Sequence, residues 1–217
     1  MKRVILLILF LASLGSYLYA EEDMIINLPE PKTKGIVSLE EVINKRRSER
    51  SLNGDKLTLE QIGQLLWSCQ GITDKTRGFR SAPSAGATYP LEIYLVNSDG
   101  LFYYLPDTHS IKRIKDKDLR RELSQACFGQ GFVEDASVDI VICADFKKTT
   151  GHYGARGENY VYIEVGHASQ NLHLEAVSLG LGSVPVGAFS DNEVQKVLDL
   201  PKDIIPIYVI PIGYIRK

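Results

Sequence analysis

The chain has 217 residues, a formal net charge of −2, 44% hydrophobic residues and 24% charged residues. This length and composition predict one globular domain with a sizeable hydrophobic core. The small net charge offers no electrostatic attraction for nucleic acid or for an anionic membrane surface, so neither is expected as a partner.

The first 20 residues have the layout of an export signal. Lys2 and Arg3 precede an apolar run from Val4 to Leu14, which is short for a membrane span, and acidic residues follow Ala20. We therefore expect an exported, periplasmic or extracytoplasmic protein that is cleaved near Ala20. The alternative is an uncleaved segment that anchors the protein, and membrane contact is expected only in that case.

Residues 21–35 are rich in proline and lysine and predict an extended arm, which is followed by a single domain over residues 36–217. A helix is predicted to begin after Ser38, because Ser38 and Glu41 form a capping-box pattern. A second helix is predicted from Leu57 to Trp67, with Thr58 as its cap and an end at Gly71.

A basic motif, Arg46-Arg47-Ser48-Glu49-Arg50, follows the first of these helices. A guanidinium group presents several N–H donors in a fixed fork, which suits a bound phosphate group. The alternative is a solvated basic helix end, since cations also stabilise a helix C-terminus.

Small residues between Ser81 and Tyr89 precede a clear strand that begins at Leu91. Such residues allow backbone amides to approach a planar ligand, and their hydroxyl groups can donate to ligand oxygens. The alternative is a tight turn in which Gly86 adopts a positive φ, and the two interpretations are compatible.

The middle of the chain predicts a hairpin of strands Leu91–Asn97 and Leu101–Leu105, a helix over Asp118–Ala126 and a buried strand over Val138–Ala144. A loop that contains His152-Tyr153 is expected next. A histidine there could exchange a proton near neutral pH, although loop histidines are more often solvated bystanders.

A long helix of about 22 residues is predicted from Glu158 to the glycine signal Gly180-Leu181-Gly182. Apolar or small residues occupy nearly all of its faces, which predicts a buried helix with His167 and His173 as hydrogen-bonded core residues. Gly166 would allow another backbone to approach closely.

The C-terminal part predicts a strand beginning at Ser183, a helix from Ser190 to Leu198 and a last strand over Ile204–Ile212. Pro206 and Pro211 favour an edge position for that strand. Three cysteines, Cys69, Cys127 and Cys143, are expected to be free thiols, with a Cys69–Cys127 bridge left open, and no metal site is expected.

From about Ile36 to Arg216 the chain resembles the nitroreductase-like flavoprotein family. The resemblance rests on four motifs: Gly166-His167, Gln170-Asn171-Leu172, Leu179-Gly180-Leu181-Gly182 and Pro185-Val186-Gly187-Ala188-Phe189. Within the family, the chain is most similar to the branch that includes SagB-type azoline dehydrogenases.

The resemblance implies an α+β fold with a mostly antiparallel, mixed central sheet flanked by helices. It implies a homodimer whose core helices pair across the two-fold axis, with FMN in each interface cleft and arms that often lie on the partner subunit. The implied activity is two-electron ping-pong transfer from a reduced donor, for which NAD(P)H is a candidate, to a small organic acceptor such as a nitro compound or a quinone. The alternatives are a SagB-type dehydrogenase acting on a peptide or other small substrate, and a non-catalytic exported flavin-binding protein.

The resemblance also implies roles for individual residues. The FMN phosphate and ribityl chain would contact Arg46, Arg47, Ser48 and Arg50, with Arg216 as a further cation. The isoalloxazine ring would lie against Pro83, Ser84, Ala85 and Gly86, and a backbone N–H from Val186, Gly187 or Ala188 would reach flavin N5. In the SagB branch a Lys-Tyr pair supports dehydrogenation; here Tyr153 matches and His152 replaces the lysine, so azoline chemistry is the weaker expectation.

Overall fold

The computed structural model describes residues 24–216, so the predicted export signal lies outside the described residues. The strands are β1 (Ile25–Asn27), β2 (Leu52–Asn53), β3 (Ile72–Asp74), β4 (Phe79–Arg80), β5 (Leu91–Asn97), β6 (Gly100–Leu105), β7 (Ser110–Lys115), β8 (Val138–Asp145), β9 (Gly182–Ser183) and β10 (Ile204–Ile215). The helices are α1 (Leu39–Lys45), α2 (Leu59–Gln70), α3 (Arg120–Ala126), α4 (Gly131–Glu134), α5 (Phe146–Tyr153), α6 (Arg156–Ser178) and α7 (Asp191–Leu198). No helix in this part of the chain is long and apolar enough to span a membrane.

The strands form one eight-stranded sheet in the order β1-β7-β6-β5-β8-β10-β2, with β9 also paired to β10, and a separate β3–β4 hairpin. The ladders of the large sheet are antiparallel, and a single parallel bridge joins Ser48 to Ser183. The predicted α+β fold with a mostly antiparallel central sheet is therefore confirmed. The predicted hairpin is also confirmed, since β5 and β6 pair in register across Asn97 and Gly100.

Helices cover both faces of the central strands. Alternate residues of β8 point in opposite directions, so Ile142 packs with α2 and α6 while Val141 packs with α3 and α7. This explains why the sequence of β8 is a nearly continuous apolar run. Cys69, Cys127 and Cys143 are buried free thiols within these two cores, as expected.

Helix α6 has one buried face and one exposed face within the chain. Val161, Ala168 and Leu172 are buried, whereas Tyr162 and Ile163 are 55% and 51% exposed. The prediction that the helix is buried on all faces is therefore wrong for a single chain, and His167 is exposed rather than part of the core. A Cβ atom on Gly166 would meet no atom within 4 Å, so this glycine faces open space.

The predicted edge position of the last strand is wrong. Strand β10 pairs with β8 along most of its length and with β9 and β2 on its other side. Its prolines are tolerated for local reasons: Pro206 lies at a register shift, and the carbonyl of Pro211 accepts the N–H of Val184. The missing N–H of Pro211 thus lies on the side of the short β9 pairing.

Two further elements differ from the prediction. The expected loop at His152-Tyr153 is the end of α5, whose N-terminus is capped by the Asp145 carboxylate accepting from Lys147 N at 3.0 Å. The strand predicted from Ser183 ends at once, because Pro185 interrupts it and only the Val186–Val209 bridge follows.

The predicted arm is extended but lies on its own subunit. Strand β1 pairs antiparallel with β7, and Lys32 N donates to Gln64 Oε1 of α2 at 2.8 Å. Ile25 to Lys32 thus pack on their own chain, and contact of this segment with a partner, implied by the resemblance, stays a prediction.

Candidate functional site

The basic motif begins where α1 ends. Arg46 is the C-cap of α1, and Glu49 N donates to Ser183 O at 3.0 Å, which ties the motif to β9. Among the described residues, none forms an ion pair with Arg46 or Arg50. Arg50 lies over the Phe132 ring, and Arg47 donates back to the carbonyl of Asn44. The guanidinium groups of Arg46 and Arg50, which flank Ser48 in the sequence, are thus available to an anion.

The segment after β9 lies next to this motif, because Ser183 bridges to Ser48. Val186 is anchored by reciprocal hydrogen bonds with Val209 of 2.8 and 3.0 Å. Gly187 and Ala188 follow on the surface, and the Ala188 carbonyl accepts from Gln130 Nε2 at 2.9 Å. The structure therefore joins the basic motif to the segment that leads into the predicted N5-facing backbone.

The buried side chain of His173 contacts Ser183, the residue that bridges to the basic motif. Its Nδ1 is 2.8 Å from Ser183 Oγ, its side chain is 5% exposed, and its Nε2 has no hydrogen-bond partner among the described residues. Burial, and then the positive charge of Arg46, lower the pKa of His173 to about 4. A neutral imidazole thus lies behind the cations, because loss of hydration disfavours the charged form of a buried base.

Arg216 lies beside the motif but its charge is engaged. Its backbone N–H donates to Ser51 O at 2.8 Å, while its guanidinium Nη2 is 3.0 Å from the Asp135 carboxylate. Binding of a phosphate by Arg216 remains a prediction, and it requires exchange of this exposed ion pair.

The second predicted group is the turn from Ser84 to Tyr89, hereafter the Ser84 turn. Gly86 (φ 60°), Ala87 (φ 52°) and Tyr89 (φ 45°) all have left-handed backbones. The turn is closed by Tyr89 N donating to Ser84 Oγ at 2.9 Å and is joined to α5 by a 2.8 Å Thr88–Thr149 hydrogen bond. The tight turn predicted at Gly86 is therefore present.

The structure places Tyr153 against this turn. A Cβ atom on Gly86 would lie 2.7 Å from the Tyr153 hydroxyl oxygen, so the hydroxyl contacts the glycine directly. His152 and Tyr160 flank the Tyr153 ring at centroid distances of 4.6 and 5.1 Å. Tyr153 thus lies at the predicted flavin-facing turn, whereas His152 is an exposed neighbour of its ring.

A buried polar cluster behind the turn has no counterpart in the sequence-based prediction. Glu164 of α6 is 2% exposed, and burial raises its pKa to about 7, opposed by Ser84, Arg80 and Gln70. Arg80 Nη1 donates to Gln70 Oε1 at 2.9 Å, and its guanidinium lies 4.5 Å over the Tyr89 ring. A glutamate inside the apolar stretch of α6 is the signal that could have identified this cluster.

The Ser84 turn and the basic motif lie at different levels along α6. Glu164 marks the level of the Ser84 turn, and His173, nine residues later, marks the level of the basic motif. This separation is about 14 Å along the helix axis. One chain therefore holds both groups on a common helix without bringing them into contact.

Comparison with known proteins agrees with this geometry. The sequence matches the pattern described as the nitroreductase family over residues 43–214. A Methanocaldococcus jannaschii protein named as a nitroreductase is 43% identical over 88% of this chain and 97% of its own length. A Ralstonia eutropha crystal structure, also named as a nitroreductase, has a TM-score of 0.81 and 29% identity, covering 89% of this chain and 90% of the other.

Two more distant relatives have named activities. The NAD(P)H-dependent FMN reductase of Bacillus subtilis is 26% identical over 79% of this chain and 64% of its own length. The microcin B17-processing protein McbC of Escherichia coli is 25% identical over 71% of this chain and 61% of its own length.

The buried state of His173 predicts a pH dependence of stability. Because the pKa of His173 falls from 6.5 to about 4 on folding, the unfolded chain binds the proton more tightly between these values. The contribution of His173 to the free energy of unfolding should therefore fall by up to about 3 kcal/mol as the pH is lowered from 6.5 to 4. In chemical denaturation, His173→Gln should remove this part of the pH dependence, while His167→Gln, at an exposed site on the same helix, should retain it.

Proposed function

This chain belongs to the nitroreductase family and is an oxidoreductase, and from that premise we propose that it binds FMN and transfers two electrons from a reduced donor to a small organic acceptor. The observation that carries the proposal is the pair of guanidinium groups without an ion-pair partner, Arg46 and Arg50, beside Ser48 and the anchored segment at Val186. A flavin phosphate would meet charge-assisted donors there without breaking an ion pair of either arginine within the described chain.

The residues present fit FMN in chemical type. The exposed backbone at Gly187 and Ala188 can donate to a ring nitrogen, and the small residues Pro83, Ser84, Ala85 and Gly86 leave room for a planar ring. FMN, when bound, supplies the two-electron redox chemistry. The chain binds its phosphate, orients its ring and controls which acceptor can reach it.

NAD(P)H is the proposed electron donor, and a nitro compound or a quinone is the proposed acceptor. The donor follows from the name of the Bacillus subtilis relative, and the acceptor class follows from the family. If residues 1–20 direct export, as we also propose, the donor must be available outside the cytoplasm.

We further propose that the active form is a homodimer. The exposed face of α6, with Tyr162, Ile163 and Gly166, spans the level of Glu164, and α1 adds the exposed side chains of Leu39 and Ile43. A second copy packed on this face would cover that apolar surface. It would also allow the Ser84 turn of one subunit to approach the basic motif of the other.

A SagB-type dehydrogenase acting on a peptide is the second candidate. The observation that favours it is the contact between the Tyr153 hydroxyl and Gly86, which places an exchangeable proton at the proposed flavin face. The similarity to McbC, named as a microcin-processing protein, supports the same candidate.

The direct test is to record the visible spectrum of the purified full chain and to identify its flavin. Steady-state assays would then combine NAD(P)H as donor with a quinone or a nitroarene as acceptor, and separately an azoline peptide as donor with a quinone as acceptor. Protein that holds flavin but turns over none of these donor–acceptor pairs would favour the non-catalytic alternative. Protein that takes up no flavin would refute the proposal.

Removal of the side chain of Arg46 or of Arg50 should weaken flavin binding. Arg46→Ala and Arg50→Ala each delete a charge-assisted contact of about 1.5–3 kcal/mol, so the dissociation constant should rise roughly 10- to 100-fold. Arg77→Ala is the control, because Arg77 pairs with Asp74 on the separate hairpin. Full flavin occupancy in both variants would show that the basic motif does not hold the phosphate.

Gly166→Leu should dissociate the dimer and reduce flavin occupancy together. Within one chain the leucine has open space, so the subunit should fold, whereas overpacking a close helix contact costs about 1–3 kcal/mol. Sedimentation and flavin content can be compared with Gly151→Leu, at another glycine in open space, on α5. A monomeric wild-type protein that still binds FMN would contradict the dimer.

Tyr153→Phe separates the two candidate reactions, because it removes only the hydroxyl. We expect normal flavin content and normal turnover of quinones or nitro compounds, which can take protons from solvent. A peptide dehydrogenation that uses Tyr153 should slow by roughly 10²–10⁴-fold. Tyr160→Phe, at the adjacent ring, is the control, and equal peptide turnover in both variants would exclude a proton-transfer role for Tyr153.

A further inference from the structure

The carboxyl group of Glu164 is buried at a place where a core helix would ordinarily carry an apolar side chain. It is 2% exposed, and its Oε1 has no hydrogen-bond partner among the described residues. A buried carboxyl oxygen without a hydrogen-bond partner destabilises a fold, so this oxygen needs an explanation.

The segment in front of Glu164 is strained. Ala87 and Tyr89 have Cβ atoms, yet their φ angles of 52° and 45° lie in the left-handed region. Such residues persist only where the surroundings fix them, and they concentrate at ligand-binding sites. The hydrogen bond from Tyr89 N to Ser84 Oγ is the contact that closes the turn.

Ser84 connects this turn to Glu164. The Ser84 oxygen accepts from Tyr89 N, so its single O–H remains free to donate to the Glu164 carboxylate. The pKa of Glu164 reflects that contact, since Ser84 lowers it against the larger effect of burial. Ser84 thus contacts the strained backbone through Tyr89 N and is close enough to Glu164 to lower the pKa of its carboxyl group.

The other groups that face Glu164 come from α2 and β4. Arg80 is the cation, and the Cys69 thiol is the second titratable group, with its pKa raised to about 12 by burial and so neutral at working pH. Gln70 contributes an amide whose Nε2 has no hydrogen-bond partner among the described residues. Within the described chain, Glu164 is therefore the group whose charge changes near neutral pH in this cluster.

We propose that Glu164 is a positioning residue that holds the Ser84 turn in its flavin-binding geometry by accepting the Ser84 hydroxyl proton in a hydrogen bond. This inference rests on the proposed function, in which the turn faces FMN. The ionised carboxylate is the stronger acceptor, so the turn is best ordered when Glu164 is charged. Loss of the bond reduces the binding-competent population and raises the apparent dissociation constant.

The test measures the FMN dissociation constant of the full chain from about pH 5.5 to 8.5 for wild type, Glu164→Gln, Ser84→Ala and the double variant. The ratio of the Glu164→Gln constant to the wild-type constant cancels titration of the FMN phosphate. This ratio should be roughly fivefold at about pH 8.5, where a charged acceptor is lost, and close to one at about pH 5.5. The double variant should bind FMN no more weakly than Ser84→Ala alone.

Glu175→Gln is the matched control, because Glu175 lies on the same helix and contacts Ser178 rather than the turn. Its ratio to wild type should stay near one at every pH. A Glu164→Gln ratio that does not change with pH, or effects of Glu164 and Ser84 that simply add, would overturn the proposal.

A second measurement does not depend on flavin. Isotope-edited infrared spectroscopy of the Glu164 carboxyl group should show a titration midpoint that moves to higher pH in Ser84→Ala, since the donor to the charged form is gone. An unchanged midpoint would overturn the positioning role. If the midpoint moves in a protein that binds no FMN, the proposed function fails while the Glu164–Ser84 interaction stands.

Discussion

The packing of α6 against the sheet is the interaction on which the candidate site depends. Val161, Ala168 and Leu172 are fully buried between this helix, α2 and the inner faces of β5 and β8. Burial of this apolar face fixes the rotation of the helix about its axis. That rotation directs Glu164 to the Ser84 turn and His173 to β9. One hydrophobic contact therefore positions both of these buried side chains.

His173 and Glu164 affect the charge around them in different ways. His173 is neutral behind Arg46, so it leaves the cation free to attract an anion instead of competing for it. Glu164 lies beside Arg80 at a turn that would face the uncharged part of a flavin. In the proposed complex, a positively charged end would hold the phosphate, and a single carboxyl group would adjust the strained backbone at the other end.

Local sequence signals predicted the elements that local interactions determine. The caps at Ser38, Thr58 and Ser190, the β5–β6 hairpin and the apolar run of β8 were readable because each depends on neighbouring residues. Helix α5 was missed because its composition is polar, although Asp145 was a visible cap. The edge position predicted for β10 was wrong because tolerance of a proline depends on which neighbour its missing N–H faces. Motif resemblance supplied the candidate site residues, which stay predictions, whereas the contacts of Glu164 and the distance between the Ser84 turn and the basic motif arise only from tertiary packing.

The pairing of β1 with β7 has a consequence for the edge of the sheet. Strand β1 is only three residues long, but it covers the backbone groups of part of β7, which is twice that length. A chain shortened past Asn27 would leave β7 as an open edge, ready to pair with a strand from another molecule. We therefore expect β1 to protect this edge from association with other molecules, whether or not a flavin is bound.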